Sequence, residues 1–159
     1  MMEIERKFIM KGFPEDVGLQ LLDEVDIEQG YLSIEPEIRL HGAVDVNTKQ
    51  ENYRITLKSD GTLSRKELVT DVSKEFYLEA KSMLTGDMIQ KRYRKYQYGV
   101  WQLEVCHVDS GTENEFYYGE IEFASEEEAN AFLAPEWLGI EVTEDETYKM
   151  KNYWKRTRQ

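Results

Sequence analysis

The stretch Glu3-Ile4-Glu5-Arg6-Lys7-Phe8 decides how the rest of the chain is read. Side chains of a β-strand alternate between two faces. As a strand, this stretch sets Glu3, Glu5 and Lys7 on one face, about 6–7 Å apart in succession, and Ile4 and Phe8 on the other. Two carboxylates and an ammonium backed by apolar residues fit either a solvated outer face or the lining of a charged interior. Recurrence along the chain decides between them.

The pattern does recur. Glu37, Arg39 and His41 alternate with Ile38 and Leu40, and Arg54, Thr56 and Lys58 with Tyr53, Ile55 and Leu57. Arg65 and Glu67 share a face, Glu104 lies between Leu103 and Val105, and Glu120 and Glu122 alternate with Ile121 and Phe123. For a single strand the ordinary reading is a half-buried antiparallel sheet with its polar face in water. For the whole set, an acid–base face with little Ser, Asn or Gln suggests a sheet closed with the charges inward. The apolar face would then lie outside, under helices.

Strand signals fall near 2–10, 29–34, 36–42, 52–59, 63–70, 87–97, 100–107 and 117–124, separated by turns such as Ser59-Asp60-Gly61 and Tyr98-Gly99. The expected fold is mainly β: an eight-stranded antiparallel closed barrel, or tunnel, with a few flanking helices. An interior of that size holds side chains or one small ligand. Ser73 can cap a helix with Phe76, Ala80, Met83 and Leu84 at helical spacing, and Ser125 with Glu128 forms a capping-box pattern before Ala129, Phe132 and Leu133. Pro14 can open a short helix towards Leu22, and residues from about 145 to 156 form a last one. These helices are expected to cover the outer face, with Trp101, Trp137 and Trp154 packing outside the tunnel.

The 159 residues suit one domain spanning 1–159, and 40% hydrophobic with 12% aromatic residues suits a folded chain. A formal charge of −12 argues against nucleic acid as a partner. No apolar run approaches the length of a membrane span, and the N-terminus lacks signal-peptide character, so no membrane partner and a cytoplasmic location are expected. Cys106 is the only cysteine and reads as structural. Oligomeric state is not legible.

Mixed bases and carboxylates in an enclosed tunnel suit a polyanion with its metal. Lys and Arg bind phosphate oxygens through charge-assisted hydrogen bonds. Clustered carboxylates hold Mg²⁺ or Mn²⁺. A charge pair at 4 Å rises from about 1 kcal/mol in water to about 4 kcal/mol at an effective dielectric near 20, so enclosure strengthens each contact.

The same residues resemble the CYTH superfamily, the triphosphate tunnel metalloenzymes. Glu3, Glu5 and Lys7 match its E-x-E-x-K. Gln29-Gly30-Tyr31-Leu32, Thr56-Leu57-Lys58-Ser59, Leu63-Ser64-Arg65-Lys66-Glu67, Glu120-Ile121-Glu122-Phe123 and the segment from Trp137 to Lys149 follow in family order. The nearest likeness is to the short bacterial branch that includes inorganic triphosphatases. The resemblance implies metal ligation by Glu3, Glu5, Glu67, Glu104, Glu120 and Glu122. It implies phosphate binding by Lys7, Arg39, Lys58, Arg65 and Lys91, with His41, Arg92, Arg94 and Lys149 as further candidates. Lys7, Glu5 and Glu122 are the catalytic candidates. His41 stands where the branch tends to have Arg, Val69 where it has Glu, Tyr93 where it has Arg, and Met150 where Asn is common; Glu104 replaces Asp. Arg92 or Arg94 serves in place of Tyr93 only if the strand bulges or shifts register.

The implied activity is metal-dependent hydrolysis of a small triphosphate, tripolyphosphate first. The alternatives are an adenylate-cyclase-like reaction on ATP and a tunnel that binds polyphosphate or nucleotide without turnover.

Overall fold

The computed structural model describes residues 1–159. Eight antiparallel strands close into a barrel: β1 (Met2–Met10), β2 (Gln20–Ser33), β3 (Glu37–Asp45), β4 (Glu51–Lys58), β5 (Ser64–Asp71), β6 (Ile89–Tyr98), β7 (Trp101–Val108) and β8 (Phe116–Glu122). Their order is β5-β4-β3-β2-β6-β7-β8-β1, and β1 pairs back to β5. The helices are α1 (Lys74–Lys81), α2 (Glu126–Ala131) and α3 (Met150–Arg158), and a two-residue strand, β9 (Ile140–Glu141), also joins β1. No helix is long and apolar enough to cross a membrane.

β1 changes partner along its length. Met2–Ile4 pair with β5, whereas Phe8 and Ile9 pair with β9. Between them, the Lys7 amide donates to Thr143 Oγ1 at 3.0 Å, and Val142 N donates to Lys7 O at 2.8 Å. The chain after β9 is thereby drawn into the wall of the tunnel.

The apolar face is outside, as the alternation requires. Phe8, Leu103, Val105 and Ile121 are fully buried beneath Ala129, Phe132 and Leu138 from the α2 region. Ser125 caps α2 by accepting from Glu128 N at 3.1 Å, but the Glu128 carboxylate accepts from the Trp101 indole instead of closing a capping box. On α1 the buried anchors are Tyr77 and Ala80, while Phe76 and Met83 are exposed. Tyr77 lies so close to β3 that a Cβ at Gly42 would sit 2.6 Å from its hydroxyl, which explains a glycine there.

Two expectations are corrected. Residues 14–22 form no helix: Gly18 takes φ +71°, and Leu21 belongs to β2, paired with Tyr96. β2 begins at Gln20, well before the expected residue 29, because its outward carboxylates have cross-strand bases. Asp26 faces Arg92 and Glu24 faces Arg94 in register, and Glu28 accepts from Tyr77 and Lys81 at 2.6 and 2.8 Å. Secondly, α3 does not cover the outer face. Met150, Tyr153 and Trp154 pack against the inward residues Tyr31, Ile89, Val108 and Tyr118, so the helix lies across one end of the barrel. Trp154 is thus part of that closure, whereas Trp101 and Trp137 pack outside.

α3 is pinned by Asp109. Its carboxylate accepts from Arg158 Nη1 and Nη2 at 2.7 and 2.9 Å and from the Tyr153 hydroxyl. Asp109 is 5% exposed. Removing one member of a buried ion pair leaves the other charge uncompensated, at a cost of about 3–5 kcal/mol. Arg158→Ala is therefore expected to lower unfolding free energy by about 3 kcal/mol, measured by urea denaturation; a loss below about 1 kcal/mol would show that α3 is held by packing alone.

Candidate active site

The barrel encloses a cavity of about 540 Å³. The inward set of β1 enters it as expected: Glu3, Glu5 and Lys7 all line it. So do Arg39 and His41 from β3, Lys58 from β4, Arg65 and Glu67 from β5, and Lys91 from β6. Glu104, Glu120 and Glu122 complete it from β7 and β8, and Lys149 enters from the segment drawn in beside β1.

Arg92 and Arg94 are the exceptions. β6 pairs with β7 in unbroken register from Lys91 to Tyr98, so Tyr93 faces inward and its neighbours outward. Arg92 donates to Asp26 at 2.6 Å, and Arg94 to Glu24 at 2.7 Å while lying over the Phe13 ring. These two arginines stabilise the outer surface of β2, and no bulge carries either to the cavity. Lys95, one alternation beyond Tyr93, lines it instead and stands opposite Glu104. Arg54 lines it from β4. Period-two alternation from Lys91 and Lys58 points to both, but neither falls on a family motif position.

The cavity has two chemical regions. In the first, carboxylates meet in pairs. Lys58 Nζ lies 3.1 Å from Glu3 Oε1 and 3.3 Å from Glu67 Oε2. Arg65 bridges Glu3 at 3.5 Å and Glu37 at 3.2 Å. Glu5 and Glu120 are coupled neighbours. Burial, then the Glu120 charge, pushes Glu5 well above the usual carboxylate range. Burial also raises Glu120, but Lys7, its contact with Glu5, Lys58 and Lys91 outweigh it and hold Glu120 below that range. The two titrate as a pair. Glu104 is pushed up to about 7, mainly by burial and then by Glu120.

In the second region Lys7 and Lys91 reach only neutral oxygens, and Arg39 lies 3.6 Å from Glu37 Oε2. Lys7 Nζ donates to Tyr148 O at 2.7 Å and lies 4.3 Å over the Tyr118 ring. Lys91 Nζ donates to Gln29 Oε1 at 2.9 Å and to the Tyr118 hydroxyl. Burial lowers Lys91 to about 8 and lowers Lys7 as well. Arg39 Nε and His41 Nδ1 are buried without a hydrogen-bond partner. Buried polar groups are nearly always satisfied, and an anion could accept from the unmet Arg39 Nε and the two ammonium groups that now reach only neutral oxygens. Cys106 lines the same wall, and burial raises its thiol to about 11, which leaves it inert.

The donor set also fits a hard divalent cation. Glu3, Glu5, Glu67, Glu120 and Glu122 offer only carboxylate oxygens, the ligands Mg²⁺ and Mn²⁺ prefer. No three acidic or imidazole groups already converge on one point. The Lys58 ammonium between Glu3 and Glu67 supplies positive charge among these carboxylates.

A closed antiparallel tunnel lined by paired acids and free bases defines an anion-binding barrel. No protein-family model matches the chain. An inorganic triphosphatase from Nitrosomonas europaea is 33% identical over 153 residues, covering 95% of this chain and 95% of that protein. A crystal structure of an inorganic triphosphatase matches with TM-score 0.63 at 29% identity, over 95% of this chain and 93% of that one. A Hippeastrum protein described as having a dominant triphosphatase activity shares the fold, at 12% identity and TM-score 0.51, over 80% of this chain and 82% of that one. The chain belongs to the CYTH superfamily, in the family of the Nitrosomonas europaea inorganic triphosphatase.

His41 carries a pH signature. Burial first, then the charges of Arg54, Lys91, Arg39 and Lys58, hold it well below its ordinary value near 6.5. As pH falls through about 6.5, the unfolded chain takes up a proton that the folded chain refuses, so stability present above that pH is lost below it. Wild type is expected to lose about 1 kcal/mol more than His41→Asn between pH 7 and 5.5, read from urea midpoints. Equal losses would show that His41 protonates freely in the fold.

Proposed function

We propose that this chain is a metal-dependent hydrolase of inorganic triphosphate. One observation carries the reading: Lys7 and Lys91, which reach only neutral oxygens, and Arg39, whose Nε is unmet, stand in one cavity of about 540 Å³ with the coupled carboxylates Glu5 and Glu120. The first group suits phosphate oxygens and the second suits their counter-ion. The family relationship to an inorganic triphosphatase supports the same substrate.

Glu3, Glu5, Glu120 and Glu122 would hold Mg²⁺ or Mn²⁺, with Glu67 and Glu104 beside them. When bound, the ion neutralises phosphate charge, polarises a phosphoryl oxygen and lowers the pKa of coordinated water. As ligands both Glu5 and Glu120 would be ionised, their charges met by the ion. Lys7 and Lys91 donate to non-bridging oxygens, and the guanidinium of Arg39 adds its free Nε–H. Lys7, enclosed and preorganised by Tyr148 O, stabilises negative charge on the leaving phosphate. Glu122 is exposed at the mouth of the carboxylate group, and burial with the nearby Glu67 raises its pKa. Lys58 and Arg65 leave their carboxylates, or keep them, according to where the outer phosphates lie.

The test is phosphate release from tripolyphosphate with Mg²⁺ or Mn²⁺. Turnover with a divalent ion and none in chelator is expected; binding without turnover would identify a non-catalytic tunnel, and cyclic product from ATP a cyclase. Glu5→Gln preserves the protonated shape but cannot ionise. Its fold should be retained and its kcat should fall by about 10–100-fold or more. A rate unchanged in that variant removes Glu5 from the metal site.

A further inference from the structure

Arg54 lines the tunnel without a partner. It belongs to the inward set of β4 with Asn52 and Lys58, and in the sheet register it stands opposite His41 on β3 and Asp71 on β5. Residues directly opposed across an antiparallel pair hold their Cβ atoms about 4.5–5.5 Å apart. A guanidinium offers five N–H donors, yet Arg54 donates to no protein group and forms no ion pair with Asp71. Arg54 is half-buried, and its more deeply buried β3 neighbour lacks a partner too: His41 is 7% exposed and its Nδ1 has no partner. Lys58 and Arg65, in contrast, are already committed to Glu3, Glu37 and Glu67. Two adjacent inward side chains with unmet hydrogen-bonding capacity, one of them a fixed cation, face the same cavity.

We propose that Arg54 is a substrate-binding residue, donating to a phosphate group of inorganic triphosphate and supplying from β4 the fixed positive charge that the imidazole of His41 does not supply from β3. This rests on the triphosphatase reading above. The two positions form one functional unit, because a guanidinium at either member of a directly opposed pair reaches the same oxygens, whereas guanidinium groups at both would repel. His41 beside it completes the site as a neutral hydrogen-bonding partner for a ligand oxygen or its water. Register, not sequence neighbourhood, makes the exchange possible: residues 41 and 54 are far apart along the chain and face each other only once β3 and β4 pair.

Steady-state phosphate release from tripolyphosphate with Mg²⁺ tests this in wild type, Arg54→Gln, Arg54→His and the exchange His41→Arg/Arg54→His, each with its melting temperature. Arg54→Gln and Arg54→His are expected to raise KM about tenfold with kcat changed less than about threefold, the pattern of lost binding energy. The exchange should return KM to within about threefold of wild type, since the charge is restored from the facing strand. An unchanged KM in folded Arg54→Gln, or an exchange no better than Arg54→His alone, overturns the assignment while wild-type turnover leaves the triphosphatase reading intact. Absence of turnover in wild type overturns both. If Arg54→Gln melts below the assay temperature, Arg54→Lys takes its place: retention of most of the binding supports the assignment, and a KM indistinguishable from wild type in both Arg54→Lys and Arg54→His refutes it.

Discussion

Burying charge inside a closed sheet is the constraint on which this structure depends. A charge taken out of water is tolerated only with a partner, a shared proton or a shifted protonation state. The cavity shows these devices. Lys58 sits between Glu3 and Glu67, Glu5 and Glu120 titrate as a coupled pair, and His41 remains neutral. Lys7 and Lys91 reach only neutral oxygens, a backbone carbonyl in one case and Gln29 with Tyr118 in the other. The interior is therefore balanced on its carboxylate side and short of anions on its basic side. An incoming polyphosphate with a divalent cation corrects both deviations together, which is why substrate and metal belong to one site.

An interior of this kind contributes little hydrophobic stabilisation, so the fold places its apolar core outside the barrel. The β1, β7 and β8 outer face buries Phe8, Leu103, Val105 and Ile121 under the α2 region, and the β3 outer face buries Leu40 under Tyr77. α3 works differently. It lies across a tunnel end against Tyr31, Ile89 and Val108 and is tied down through Arg158 and Tyr153 to Asp109. The segment leading into it, pinned to β1 at Val142 and Thr143, delivers Tyr148 O to Lys7. The C-terminal part of the chain thus both closes the barrel and orients a basic residue of the site.

Strand β6 illustrates how one-residue spacing decides function. Lys91, Tyr93 and Lys95 face the cavity, while Arg92 and Arg94 bind the outward carboxylates of β2. Four cations within five residues look interchangeable in the sequence, yet two serve the site and two hold the wall. The same ion pairs convert an acidic stretch at 23–28, which resembles a loop by composition, into the first half of the longest strand.

Alternation alone determined most of the barrel. A period of two with charge on one face admits only two faces, so Glu3, Glu5, Lys7, Arg39, His41, Lys58, Arg65, Glu67, Glu104, Glu120 and Glu122 were legible as one surface before any contact was known. Its recurrence on strand after strand suggested an inward face, and the pairing of β1 with β5 closes the sheet around it. The tertiary structure decided what depends on distance between strands. Register set Arg54 opposite His41 and Lys95 opposite Glu104. The edge of β6 drew residues 20–22 into a strand against a local helix signal. The open end of the barrel received α3, where Met150, Tyr153 and Trp154 are buried against Tyr31, Ile89, Val108 and Tyr118. Local pattern specifies which face a side chain takes, but which partner it meets, and whether it is left unpaired for a ligand, is fixed only when strands distant in sequence are brought together.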